Sequence, residues 1–224
     1  MTPAQVCKHY PRLYHMGEEH TWRSVRELGL LSTTALLDKF EVPTEERYRL
    51  ESCRRRQSVP IHHPKHGTAV LRDQKPLSDS KLMKCLVGMD PQGWYRFLNA
   101  RVFFWPTRER ILTLLSARAY RGRSHTVITV DTASFLEKHA DRVKLSPINS
   151  GAVVYRATPR GLMTFRTIEE WPDAERPRSG ALKLPVAEFA VDYSVPDIAD
   201  VAVCVEEMRG DRVVRVLWRR KRLA

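Results

Sequence analysis

Apolar positions in the first half of the chain recur mostly at helical spacing, whereas the second half is dominated by runs with the two-residue period of strands. PRLYHM, residues 11–16, predicts a short strand opened by Pro11. TWRSVRELG predicts a helix with Thr21 as N-cap, Trp22, Val25 and Leu28 on one face, and Gly29 at its end. LLSTTALLDKF predicts a second short helix capped by Ser32 or Thr33. EERYRLESCRRRQ has helical spacing, and SVPIHHPKHG reads as a loop. DSKLMKCLVG predicts an amphipathic helix closed by Gly88. NARVFFW predicts a strand, and Pro106 then precedes a long helix, TRERILTLLSARAYRG, whose Ile111, Leu114, Leu115 and Ala119 face inward.

Further on, HTVITVDT is rich in β-branched residues and predicts a strand, followed by a short helix over ASFLEKHAD and a strand over GAVVYRAT. WPDAERPRSGALKLP, with three prolines and a glycine, predicts a loop. VAEFAVDYSV and residues 200–209 predict two more strands. DRVVRVLWRR is expected to pair back as a hairpin after Gly210-Asp211. Helices early, strands late and little strict βαβ alternation predict an α+β fold with split or mixed sheets. No linker stands out, so residues 1–224 are expected to form one domain.

Composition narrows the class. Hydrophobic residues make up 42% of 224, enough to bury a sizeable core. No apolar run approaches the roughly 20 residues of a membrane helix. MTPAQVCKHYPRLYH lacks the apolar stretch of a signal peptide, so a cytoplasmic protein is expected. Cys7, Cys53, Cys85 and Cys204 form no CxxC pair, which argues against a disulfide framework or a cysteine zinc site. Lysine and arginine total 38 against 26 acids, a formal charge of +12. The C-terminal WRRKRLA carries part of this, but without it the charge would still be about +8. Such a surface attracts polyanions through counterion release, so a nucleic acid or nucleotide is the expected partner.

Four groups of residues carry candidate chemistry. LRDQKPL sets Arg72 beside Asp73 and Gln74, where a guanidinium could clamp a phosphate or merely form a surface pair. In NARVFFWP, alternation sends Arg101, Phe103 and Trp105 to one face and Val102 and Phe104 to the other. An aromatic face beside arginines can stack a base or a nicotinamide, although both faces could simply be buried. His62, His63 and His66 cluster without a local acid, which favours a solvated loop over a metal site. Glu188 interrupts the apolar run PVAEFAVDYSV, and its strand face, shared with Val186 and Ala190, is otherwise apolar. An acid in that setting has a raised pKa unless a cation or donor supports its charge.

LYHMGEEHTWRSVRELGLLSTTALL, FFWPTRERILTLL and PVAEFAVDYSVPDI occur in this order and resemble three segments of the DarT-type DNA ADP-ribosyltransferases. A likeness spanning nearly the whole chain is to a bacterial domain family of unassigned function that shares these blocks together with RDQ and SPINSG. The DarT resemblance implies an ADP-ribosyltransferase fold, a split mixed sheet with flanking helices, and an enzyme that uses NAD as substrate. It implies that Glu188 holds a ribose hydroxyl and positions or deprotonates the nucleophile. It also implies that His15 bonds the nicotinamide ribose and that Phe104 or Trp105 packs on the nicotinamide. Tyr14, Ser32, Thr33, Asn99 and Arg101 complete the expected NAD site. The family's activating arginine has four competitors here, Arg54, Arg55, Arg56 and Arg72, of which Arg72, in the more compact block, is the expected catalytic one. The segment after the aromatic strand departs from the family, leaving Arg108 without an assigned role.

The chemistry suits those residue types. Cleavage of the ribose–nicotinamide bond passes through an oxocarbenium-like state that a carboxylate stabilises. No GxGxxG is present, so dehydrogenase-style NAD binding is disfavoured. The resemblance implies modification of a nucleic acid, a DNA base before RNA, by a toxin or defence factor that an antitoxin protein could control. Two alternatives are an NAD-dependent RNA 2′-phosphotransferase and a catalytically silent nucleic-acid-binding module of the same fold.

Overall fold

The computed structural model describes residues 1–153, 158–172 and 185–221. Its helices are α1 (Pro3–His9), α2 (Trp22–Leu28), α3 (Thr33–Lys39), α4 (Thr44–Ser52), α5 (Asp79–Leu82), α6 (Pro91–Asn99), α7 (Arg108–Leu115), α8 (Thr132–His139) and α9 (Ile198–Val201). Its strands are β1 (Arg12–Glu18), β2 (Leu30–Leu31), β3 (Val59–His63), β4 (Gly67–Leu71), β5 (Arg101–Phe104), β6 (Ser124–Asp131), β7 (Val143–Ser146), β8 (Arg166–Thr167), β9 (Glu188–Asp192), β10 (Ser194–Val195), β11 (Ala202–Arg209) and β12 (Arg212–Arg219). The protein is therefore α+β. No described helix is long and apolar enough to cross a membrane.

Two four-stranded sheets, ordered β1-β6-β11-β12 and β5-β9-β7-β8, carry the fold. Every pairing between named strands is antiparallel, so the expected mixed sheet is instead a pair of antiparallel ones. The two sheets meet where β1 splays from β5. There the Tyr14 N–H donates to the Trp105 carbonyl at 2.9 Å, and the Trp105 N–H returns the bond to Tyr14 at 2.7 Å. This junction opens a gap between the sheets, and the gap positions the site.

The β-branched run of β6 is buried on both faces. Phe135 and Leu136 of α8 cover one face, and Ile111 and Leu115 of α7 pack with Met16, Val127 and Met208 on the other. α6, which the apolar pattern did not reveal, begins at the Asp90 cap with Pro91 in its first turn and buries Trp94, Tyr95 and Leu98. Gly29 closes α2 at φ 85°, and a Cβ there would lie 2.7 Å from the Pro196 Cα. Only glycine lets the chain pass Pro196 at that point, which delivers Ser32 to the start of α3.

Several expected boundaries shift. The segment read as a loop, SVPIHHPKHG, supplies β3 and the turn of a hairpin, because Ile61 and Leu71 bury one face against Leu37, Phe40 and Leu50 while the other face stays wet. The long helix after Pro106 ends at Leu115, and the one over EERYRLESCRRRQ ends at Ser52. The expected strand GAVVYRAT falls partly on residues 154–157, and the proline-rich loop partly on 173–184; both stretches lie outside the described residues. β7, whose VKLS core is only four residues, supplies a central strand the pattern did not reveal.

Candidate functional site

A cavity of about 490 Å³ lies in the gap, bounded by β1, β5, the α2–α3 segment, β4 and the loop at residues 149–152. Glu188, His15, Arg72, Ser32, Thr33, Asn99, Arg101 and Trp105 all line it. Tyr14 and Phe104 do not. Alternation along β1 turns Tyr14 away from His15, and along β5 it drives Phe104 into the core, fully buried against Phe135. Of the two aromatic candidates, Trp105 is therefore the one at the cavity.

Glu188 opens β9, paired with Ser146 of β7, and is only 3% exposed. One carboxylate oxygen, Oε2, accepts two bonds from Ser150: from its N–H at 3.0 Å and from its hydroxyl at 2.6 Å. Among the described residues Oε1 has no such partner. Burial pushes the Glu188 carboxyl up to about 7, with the Ser150 donors, Arg110 and Arg160 pulling in the opposite direction. Arg160, 4% exposed, reaches under the loop and donates to the carbonyls of Ser150 at 3.3 Å and Ala152 at 3.0 Å. It shapes the turn that presents Ser150 to the carboxylate.

His15 bonds through Nδ1 to the Phe103 carbonyl at 2.8 Å, an arrangement in which Nδ1 carries the proton and Nε2 is an acceptor. Burial depresses its pKa to about 4, aided by Arg72, so the ring is neutral at physiological pH. A neutral imidazole and a protonatable carboxyl on the wall of one cavity give it an acceptor and an acid–base group that titrates near neutral pH.

The arginines separate by role. Arg72 places Nε 3.4 Å from Glu18, donates to the Met16 carbonyl at 3.3 Å, and lies over the Tyr120 ring at 5.0 Å. Arg55 is 7% exposed and also lines the cavity. It donates to the carbonyls of Leu50 and Arg72, to Asn99 Oδ1 at 2.9 Å and to Thr33 Oγ1 at 3.4 Å. None of these partners is a carboxylate, and burial lowers its pKa to about 10. Arg54 instead donates outward to the Lys75 carbonyl, and Arg56 does not line the cavity.

The remaining expected residues serve the frame as well as the wall. Ser32 Oγ caps α3 by accepting from the Ala35 N–H at 3.1 Å. Asn99 ends α6 rather than starting β5. It accepts from Arg55 and Gln74 and donates to the Glu51 carbonyl at 2.7 Å. Arg101 stacks on Phe97 at 3.8 Å and pairs with Asp192 at 3.0 Å. Arg108 points elsewhere, to Glu206 at 3.3 Å. In the histidine cluster, His62 bonds Thr68 at 2.8 Å and the rings of His63 and His66 stack at 4.7 Å.

Sequence reasoning did not single out Ser150, Arg160, Glu18 or Tyr120. Ser150 sits within SPINSG, and that block was the one available signal for it.

Residues 11–202 match the family model described as "Family of unknown function (DUF7002)", and the chain belongs to that family. No curated protein matches the chain in sequence.

Proposed function

We propose that this DUF7002 protein is an NAD-dependent ADP-ribosyltransferase that modifies a nucleic acid, a DNA base before RNA, with the whole chain acting as one ADP-ribosyltransferase-like domain. The observation that carries the reading is Glu188: a buried carboxylate that, among the described residues, is anchored through one oxygen and has no partner on the other, on the wall of a ligand-sized cavity. The open junction between two antiparallel sheets supports the split-sheet arrangement that such a fold requires.

In this reading the N-glycosidic bond between nicotinamide and ribose breaks, and its electron pair leaves with nicotinamide. The anionic form of Glu188 stabilises the positive charge developing on the ribose. A nucleophilic nitrogen or oxygen of the acceptor then bonds to the anomeric carbon, and its proton passes to Glu188. The products are ADP-ribosylated acceptor and free nicotinamide. His15, neutral and with Nε2 as acceptor, receives a ribose hydroxyl hydrogen bond. Trp105 packs on the leaving nicotinamide, and Arg72 holds the pyrophosphate, with Arg55 fixing the loop behind it. Ser32 and Thr33 contribute hydroxyls at the start of α3, while Asn99 and Arg101 shape the opposite wall.

The test is incubation of the purified chain with NAD labelled in the adenylate half, together with single-stranded DNA, RNA or 2′-phosphorylated RNA. Label on DNA or RNA and stoichiometric nicotinamide is the expected result. Label found solely as the cyclic phosphate of ADP-ribose, with 2′-phosphorylated RNA as the one active substrate, would replace the reading with a 2′-phosphotransferase. Absence of nicotinamide release with every acceptor would overturn it.

A further inference from the structure

We infer that the end of the β1-β6-β11-β12 sheet beside the cavity mouth is the surface on which a single-stranded nucleic acid lays its phosphate backbone. The inference rests on the transferase reading solely for why an acceptor should lie there; the surface itself is read from the strand register.

The register brings the arginines together. Arg209 ends β11, where it stands opposite Arg212 of β12 on one side and Ser124 of β6 on the other. Arg123 immediately precedes Ser124, so Arg123, Arg209 and Arg212 occupy one end of three adjacent strands, about 4.8 Å apart per strand. Arg118 and Arg121 stand on the loop that leads into β6, and all five side chains are exposed. Among the described residues, Arg118, Arg121, Arg209 and Arg212 make no ion pair.

Two features separate this end from a general basic surface. Arg209 and Arg212 are direct cross-strand partners, and like charges in that position repel. The hairpin turn between them needs only Gly210 at φ 60° and Asp211; nothing in the turn geometry requires an arginine on either side. An anion bridging the pair removes the repulsion. The second feature is position. Arg123 donates to Glu18 at 2.6 Å, and Glu18 lines the cavity next to Arg72. A strand held by these arginines therefore runs past the cavity mouth, where a splayed base can enter. A polymer with regularly spaced phosphates matches a row of separate guanidiniums better than any single anion does.

The experiment measures binding of a fluorescein-labelled single-stranded DNA oligonucleotide to the full chain, by anisotropy, between roughly 50 and 200 mM salt. The variant R209S/R212S is compared with R219S/K221S, which removes the same charge at the opposite end of β12. The expected result is a fall of about 1.4 in the log–log salt slope for R209S/R212S, at roughly 0.7 per phosphate contact on a single strand. The control is expected to keep the wild-type slope. Nicotinamide release from NAD without acceptor should be equal in all three proteins, since neither pair lines the cavity. Equal losses in both variants would overturn the surface assignment, as would binding of poly-glutamate with the same affinity and the same loss. If wild type releases no nicotinamide while R209S/R212S still loses DNA selectively, the transferase reading fails and the surface stands.

Discussion

Ser150 gives both its hydrogen bonds to a single oxygen of Glu188, the N–H at 3.0 Å and the hydroxyl at 2.6 Å. Both bonds favour the ionised carboxylate and oppose the burial that raises its pKa to about 7. Ser150→Ala removes the hydroxyl bond and leaves the backbone bond in place. A hydrogen bond to a charged group contributes about 1.5–3 kcal/mol, which corresponds to about one to two pKa units. The acid limb of nicotinamide release against pH is therefore expected to move to higher pH by about that much. A profile that does not move would remove Ser150 from the control of Glu188.

Glu188→Gln tests the carboxylate itself. Loss of a group that both stabilises charge and accepts a proton is expected to lower turnover by about 10²–10⁴-fold. Stability is expected to move the other way. The folded pKa of Glu188, about 7, lies above the ordinary 4.5, so the fold favours the protonated form. That favourable contribution is complete below the unfolded pKa and is lost as pH rises through 7. The wild type should therefore weaken relative to the glutamine variant between pH 5 and 8, by up to about 3 kcal/mol. Denaturant melts of both proteins at the two pH values check this; a pH-independent difference would show that Glu188 is ionised throughout.

Much of the frame was legible from residue pattern, and the reasons for the rest are local. β6 and the β11–β12 hairpin announce themselves by β-branched runs and a Gly-Asp turn. β3 did not, because Pro60 and two histidines mask a strand with only one wet and one buried face. α6 was hidden by Pro91 and Gly93, which read as breakers but here serve as its first turn. Glu188 stood out as an acid in an apolar run. Its environment did not, since Ser150 is 38 residues away in sequence and reaches it through the pairing of β7 with β9. The choice between Arg55 and Arg72 depends on burial against α3 and α6, which no neighbouring residue encodes.

That difference between the two arginines is measurable. Arg55→Ala takes the side-chain donor from the carbonyls of Leu50 and Arg72 and leaves Asn99 Oδ1 with Gln74 alone, all in a buried setting, and is expected to destabilise the fold by about 3 kcal/mol. Arg72→Ala removes a partly exposed side chain whose ion pair and ring contact are worth about 1 kcal/mol. It should fold nearly as well as wild type while raising the KM for NAD at least tenfold. Thermal melts together with initial rates decide the matter; an Arg72→Ala protein with unchanged KM would take Arg72 out of the site.

Phe104 and Trp105 are sequence neighbours with opposite fates, and their variants should separate stability from binding. Phe104 is fully buried, against Phe135 on one edge and the His15 ring at 5.7 Å on another. Truncation to alanine leaves a cavity in the main core and is expected to cost about 3–5 kcal/mol. Trp105 is only half-buried, and its structural contribution to the sheet junction runs through its backbone N–H and carbonyl, which alanine retains. Trp105→Ala should therefore lose less than half as much stability, while weakening NAD binding through the lost ring face. The comparison is made on melting temperature and on quenching of the remaining tryptophan fluorescence by added NAD. A Trp105→Ala protein that binds NAD as wild type does would mean that the aromatic wall of this cavity takes no part in holding the nicotinamide.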